Sequence, residues 1–235
     1  MCELPNKAPG LSYPEKTMQV TVDIVIFTIQ SGSLRVLLVK RAASPFQGQF
    51  AIPGGFVLEG ESLEEAALRE LREETGVADV YLEQLYSFGD PDRDPRGRVV
   101  TVAYFALISG DRSLQAGTDA AEADWWQMDR LPPLAFDHGK ILWCALERLR
   151  NKLEYTTVGF QLLPEKFSMT ELQEVYEAIL GKKLDKRNFR RKLALLKILK
   201  ALPEYRRGGQ RPAQLYKFQA ARFEKLKDKG ILFPF

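Results

Sequence analysis

The chain is expected to fold as an α+β domain followed by a winged helix-turn-helix. Three observations predict this. In residues 18–150, short β-type runs surround one acidic helix, and a second helix closes the segment; strands before and after a single helix fit the α+β class. Residues 151–235 carry two capped helices and then a hairpin with a basic tip. The charge divides at the same place. Residues 1–150 hold 15 Lys and Arg against 22 Asp and Glu, a net of −7, while residues 151–235 hold 19 against 9, a net of +10. An acidic half joined to a basic half suggests two modules with different partners, the basic one suited to polyanions.

Residues 1–17 read as a proline-bearing flexible lead that lacks the apolar core of a signal peptide. Gln19–Ile29 alternates apolar side chains at Val20, Val22, Ile24 and Ile26, then continues into Phe27, a strand pattern. Ser31-Gly32-Ser33 is a turn and Leu34–Lys40 the next strand. Ala42–Gln49 is a loop with Pro45 and Gly48, and Phe50–Pro53 leads into Gly54 and Gly55. Ser62 and Glu65 form a capping-box pair that opens a helix, and Gly76 can end it at C′. On that helix Leu68 and Leu71 can face a core. Val80–Phe88, Val99–Ile108 and Trp125–Met128 read as further strands. Trp125, Trp126 or Tyr86 could stack an adenine, although strand aromatics usually serve the core. Ala135–Arg150 reads as a helix with Ile141, Leu142, Ala145, Leu146 and Leu149 on one stripe. His138, near its start, reads as a capping or structural residue, and Cys144 as a buried thiol.

The acidic helix carries the chemistry. Gly55, Glu61, Arg69, Glu70, Glu73, Glu74 and Gly76 stand at the spacing G-x5-E-x7-R-E-x-x-E-E-x-G, with Leu71 and Val77 at two aliphatic positions. A chance match is on the order of 10⁻⁹ per start site at average composition. At about 100° per residue, Glu70, Glu73 and Glu74 share an arc of roughly 100°. Carboxylates at i, i+3 and i+4 repel, and a divalent cation reverses that sign. Oxygen donors favour Mg²⁺ or Mn²⁺, completed by waters and substrate phosphates. Gly54 and Gly55 let the backbone approach the helix closely.

This segment resembles a complete Nudix box, the signature of hydrolases that cleave a nucleoside diphosphate linked to another group. The resemblance implies an α/β/α sandwich. It implies Glu73 and Glu74 as principal metal ligands, Glu70 as a further ligand or water-activating base, and the Gly54 carbonyl as a backbone ligand. Arg69 would orient the carboxylates, and Glu61 would support them. The loop Arg93–Val100, RDPRGRVV, resembles that of Nudix enzymes and sensors that take ADP-ribose, which makes Arg93 and Arg96 candidate ligand residues. Glu122 is a candidate extra base or ligand from a late loop.

In the second module Ser168 and Glu171 form another capping box. The helix that follows carries Leu172, Val175, Tyr176 and Ile179 on one stripe and ends at Gly181. Asp185 caps a second helix through about Ile198. Its Phe189, Leu193 and Leu196 face inward, while Arg187, Arg190, Arg191 and Lys197 share an opposite arc of about 120°. Leu202–Arg207 and Ala213–Phe218 make a hairpin around a basic tip. Arg206, Arg207 and Arg211 are thereby placed beside a DNA groove as phosphate contacts. LDKRNFRRKL and RPAQLYKF resemble the winged-helix module of Nudix-related transcriptional regulators of NAD metabolism. The loop RDPRGRVV and Leu134–Arg150 fit the same group, so the resemblance covers about residues 18–220. In that group the Nudix domain senses ADP-ribose and homodimers bind palindromic double-stranded operators. Related regulators sense pentoses instead. Many members have a damaged box, whereas every box residue here is in place.

Two readings therefore stand side by side: a Mg²⁺-dependent hydrolase of ADP-ribose, and a DNA-binding repressor that uses ADP-ribose as its signal. A plain ADP-ribose pyrophosphatase whose second module does not bind DNA is the runner-up. The expected boundaries are 1–17 for the lead, 18–150 for the Nudix domain and 151–235 for the winged helix. No apolar run reaches the ~18 residues of a membrane span. The two cysteines, Cys2 and Cys144, lack metal-type spacing, and together these features point to the reducing cytoplasm.

Overall fold

The computed structural model describes residues 18–76, 80–110, 123–206 and 212–227. Strand β1 (Gln19–Gln30) is buried at every position from Thr21 to Thr28, so both of its faces are covered. Successive side chains point to opposite faces of a sheet. Val22, Ile24 and Ile26 pack with Ala66, Ala67 and Leu71 of α1 (Leu63–Thr75). Val25 and Phe27, on the other face, pack with Ile141, Leu142, Ala145, Leu146 and Leu149 of α2 (His138–Leu153). One helix per face makes the expected α/β/α sandwich.

The sheet between them runs β3 (Phe50–Ala51), β2 (Ser33–Lys40), β1, β6 (Val99–Leu107), β5 (Tyr81–Phe88). Two further strands, β4 (Gly54–Phe56) and β7 (Ala123–Gln127), pair with β1 and β2. β1 and β6 are parallel, from Gln19↔Val99 to Phe27↔Leu107. The glycine strand lies antiparallel on β1 with Asp23 opposite Gly54. This topology gathers the start of β1, the glycines and the loop before β6 at one end of the sheet.

Helix α1 ends as its sequence dictates. Ser62 Oγ accepts from the Glu65 N–H at 3.2 Å, Glu65 Oε2 accepts from the Ser62 N–H at 2.8 Å, and Gly76 caps the C-terminus at φ +66°. Leu68 departs from expectation: it is exposed, and Ala66 and Ala67 take the inner face with Leu71. Helix α2 begins at His138, three residues later than the apolar stripe suggests, and continues to Leu153. Phe136 stops it with a left-handed φ of +53°, and Leu134 bridges to Phe50. Cys144 is half-buried rather than buried. Trp125 and Trp126 are half-buried and pack against opposite cores, whereas Tyr86 is exposed.

The second module contains β8 (Phe167–Ser168), α3 (Met169–Leu180), α4 (Lys186–Leu196), β9 (Leu199–Arg206), β10 (Ala213–Phe218) and α5 (Ala220–Lys227). A 3-10 turn at Val158–Leu162 precedes them. Helices α3 and α4 with a three-stranded antiparallel sheet, ordered β8-β10-β9, form the winged helix. Helix α4 stops at Leu196, not Ile198. Lys197 is a left-handed cap at φ +52° and Ile198 turns fully into the core, so Lys197 extends the basic face from beyond the helix. Pro203 sits on the edge strand β9, where a missing N–H leaves the sheet intact.

The two modules share one apolar cluster. It runs from Val25 and Phe27 through Leu149 and Leu153 of α2 to Leu172, Tyr176, Phe189 and Leu193 of α3 and α4. Arg150 Nε also donates to the Ile179 carbonyl at the end of α3, at 2.8 Å. Among the described residues, no helix is long and apolar enough to cross a membrane.

Candidate functional site

The glycine strand and α1 meet at contact distance. A Cβ at Gly54 would lie 2.3 Å from the Val22 carbonyl oxygen, and one at Gly55 would lie 2.0 Å from Glu70 Oε1. At Gly54 a side chain would meet backbone, which requires glycine; at Gly55 it would displace the Glu70 carboxylate from its place beside Arg69. Arg69 is the hub above them. It grips Glu61 with two hydrogen bonds (Nε to Oε1, 2.8 Å; Nη2 to Oε2, 3.0 Å). It also donates to Glu70 Oε1 at 2.7 Å, to the Phe56 carbonyl at 3.1 Å and, more weakly, to Glu73 Oε2 at 3.4 Å. Hydrogen bonds from Arg69 hold the Glu61 carboxyl below its usual range. Burial pushes Glu70 upward, with Arg69 opposing the shift. Glu73 is largely exposed and Glu74 half-buried.

The donor types here, three carboxylates and the Gly54 carbonyl, fit a hard divalent cation. The tight Gly55–Glu70 contact is a cradle that only glycine leaves open. Among the described residues, however, no three acidic, histidine or cysteine side chains stand close enough together to hold a metal. Arg69 engages Glu70 and Glu73 in that space, so a cation would have to draw Glu73 in from solvent.

Arg93 lies deeper than its loop sequence suggests. Its side chain is 3% exposed, and it pairs with Asp23 at 3.2 Å and with Asp137 at 2.8 Å. It thereby ties the 89–98 loop to β1 and to the start of α2. Asp137, the residue before α2, makes no side-chain cap because its carboxylate faces Arg93. Arg96 is 40% exposed and grips the buried carboxylate of Asp94 at 2.7 Å. Glu122 lies outside the described residues. The buried Asp23 was an unused signal: a charge inside an otherwise apolar strand needs a partner.

In the second module, α4 presents Arg187, Arg190 and Arg191 to solvent, with Lys197 exposed just beyond. Arg191 bonds Asn188 at 3.0 Å. Phe189 and Leu193 on the opposite side are fully buried against the shared core. Arg206 is engaged within the fold, paired with Glu171 and bonded to the Lys166 carbonyl at 3.0 Å. Arg207 and Arg211 lie outside the described residues.

Residues 17–146 match the Nudix domain family, and residues 159–218 match the NrtR DNA-binding winged helix domain. The ADPR responsive transcriptional repressor NtrR of Acinetobacter baylyi is 41% identical over 226 residues, covering 94% of this chain and 87% of that protein. The chain belongs to the NrtR family of Nudix and winged-helix proteins. The crystal structure of Shewanella oneidensis NrtR complexed with a 27mer DNA superposes on this NrtR-family chain with a TM-score of 0.78 at 39% identity. It covers 87% of this chain and 95% of that one. An ADP-ribose pyrophosphatase of Methanocaldococcus jannaschii is 47% identical over 108 residues, 46% of this chain and 63% of that enzyme.

His138, the one histidine of this NrtR-family chain, holds the site together from behind. Its Nδ1 accepts from the Ile52 N–H at 3.0 Å, just before the glycines, and its Nε2 lies 3.7 Å from Asp23. Burial lowers its pKa, with Asp23 opposing the shift. A folded-state pKa below the unfolded value means that the stability is present above ~6.5 and lost as pH falls. Lowering the pH from about 7.5 to about 5.5 should therefore lower the melting temperature through this group, and the fall should be measurable by a thermal melt at each pH. The His138→Gln variant keeps an acceptor for Ile52 and should lose that slope; equal slopes for variant and wild type would refute the assignment.

Proposed function

We propose that this chain is a cytoplasmic transcriptional repressor whose winged helix binds operator DNA and whose Nudix half binds ADP-ribose as the signal. The similarity to an ADP-ribose-responsive repressor along nearly the whole chain carries the reading. The exposed arginine face of α4 supports it on the DNA side, because three guanidinium groups on one helix turn suit phosphates and base edges. A homodimer on a palindromic site and control of NAD metabolism complete the proposal.

We further propose that the Nudix half hydrolyses ADP-ribose to AMP and ribose 5-phosphate. The complete box and the resemblance to an ADP-ribose pyrophosphatase support this. Glu73, Glu74, Glu70 and the Gly54 carbonyl would hold Mg²⁺ or Mn²⁺. Such an ion, when bound, lowers the pKa of an attacking water and neutralises charge on the diphosphate. The chain's own part is orientation: Arg69, fixed by Glu61, positions Glu70 beside Gly55, where it would serve as a further ligand or as the base for the attacking water.

A mobility-shift titration tests the whole. A duplex selected from random sequence by the purified protein is shifted, and ADP-ribose is then added without metal, with arabinose and AMP as comparison ligands. Release by ADP-ribose alone is expected. Release only by arabinose would replace the effector, and failure to select any duplex would leave an enzyme without a DNA target. Chromatographic detection of AMP and ribose 5-phosphate with Mg²⁺ on the same protein reads the hydrolysis separately.

A further inference from the structure

Beside the glycine–carboxylate site, three loops bring two guanidinium groups onto one aromatic ring. Arg41 follows β2, Arg96 lies in the 89–98 loop, and Phe136 precedes α2. Arg41 Cζ stands 4.7 Å from the centroid of Phe136, and Arg96 Cζ stands 5.6 Å from that ring and 5.3 Å from the ring of Phe56. Phe46 meets Phe136 edge-on at 4.8 Å. Phe56 ends the glycine strand, and its carbonyl accepts from Arg69, so the cluster is continuous with the box. Phe46 and Phe136 both occupy left-handed backbone, at φ +61° and +53°, which bulky side chains rarely adopt. Such outliers concentrate at ligand sites, where the surroundings hold them in place.

The charge balance of the cluster is incomplete. Arg96 is neutralised by Asp94. Arg41 is half-buried, and its Nε donates to the Pro45 carbonyl at 2.8 Å. Among the described residues, its two terminal nitrogens form no hydrogen bond and no carboxylate pairs with it. Burial, and then the charge of Arg96, hold the Arg41 pKa below its ordinary value, against the opposing pull of Asp94 and Asp23. A partly desolvated guanidinium whose terminal nitrogens have no acceptor among the described residues gains from an anion that reaches it, and Arg96, already paired with Asp94, stands beside it. Phe46 and Phe56 flank the pair, 36% and 38% exposed, as apolar walls for planar groups.

We propose that Arg41, together with Arg96, binds the diphosphate bridge of the nucleotide, with Phe46 and Phe56 bordering the groups attached at its two ends. The proposal rests on the ADP-ribose reading of the Nudix half. It adds Arg41, Phe46, Phe56 and the strained Phe136 to the site and assigns Arg93 to the scaffold behind it.

Metal-free calorimetry on the full chain tests this with ADP-ribose, AMP and inorganic pyrophosphate as probes. The Arg41→Ala variant should weaken ADP-ribose and pyrophosphate at least tenfold, as expected for a lost charge-assisted pair, and AMP several-fold less. Arg41→Lys should recover part of the loss, because an ammonium keeps the charge but not the planar fork. It also serves as the measured variant if the alanine form melts early. Wild-type affinity for ADP-ribose in either variant would overturn the Arg41 assignment and leave the ADP-ribose reading standing. Wild-type protein that ignores ADP-ribose but binds pyrophosphate in an Arg41-dependent way would overturn the reading and keep the anion site. Binding of neither probe would overturn both.

Discussion

Replacing Glu74 by Gln is expected to lower Mg²⁺-dependent release of AMP from ADP-ribose by about 10³-fold, while operator affinity stays at its wild-type value. A neutral amide cannot balance the charge of a divalent cation, and metal charge stabilisation is worth several kcal/mol; about 4 kcal/mol corresponds to that factor. Gln keeps the volume of Glu, and the position is on the Nudix helix α1, whose core contacts come from Ala66, Ala67 and Leu71. The fold should therefore survive, and the α4 arginines should be unaffected. Glu70→Gln is a weaker test, because it also removes an acceptor of Arg69 and changes a carboxylate packed on Gly55. The measurement is a single-turnover assay across Mg²⁺ and Mn²⁺ concentrations, with a mobility shift on the same preparation. Undiminished turnover in the Glu74 variant would remove the metal assignment. Lost DNA binding in the same variant would mean that the two modules, which share a core, depend on each other more than the box chemistry requires.

Local rules made the box legible. Ser62, Glu65 and Gly76 set the ends of α1 by hydrogen bonds to residues three or four positions away, and the structure repeats them atom for atom. The second capping box, at Ser168 and Glu171, and the Gly181 cap were readable for the same reason. What failed was long-range. The pattern of β1 marked a strand but not what covers it: α1 packs on one face and α2 on the other. Strand β8 is two residues long and exists only through pairing with β10, so no local pattern announces it. Helix α5 packs Phe223 into the shared core from a basic, low-amphipathicity stretch. The burial of Arg93 was not legible because its partners, Asp23 and Asp137, stand 70 and 44 residues away. Arg41 carried no signal of its own; its place beside Arg96 arises only when three loops meet over Phe136.

The arginine face of α4 gives the second large effect. Changing Arg190 and Arg191 together to Ala should weaken operator binding by about 2–3 kcal/mol, roughly 30–150-fold, through lost charged hydrogen bonds. Both residues are exposed, and the helix is anchored by Phe189 and Leu193 on its other side, so stability should change little. Ala also raises helix propensity slightly at both positions. Salt dependence separates a DNA contact from a folding defect. Each phosphate neutralised contributes about −0.9 to the slope of log K against log salt. Two lost contacts should make the slope less negative by about 1.8, and a dimer presenting two helices to a palindrome doubles that to about 3.6. The size of the change therefore counts how many copies of α4 touch the duplex. Arg206 supplies the internal comparison, because its guanidinium is already committed to Glu171 and the Lys166 carbonyl. Arg206→Ala should change the slope by less than a single α4 arginine does. An unchanged shift and slope for the Arg190 and Arg191 double variant would remove α4 as the reading helix, whatever the Nudix half binds.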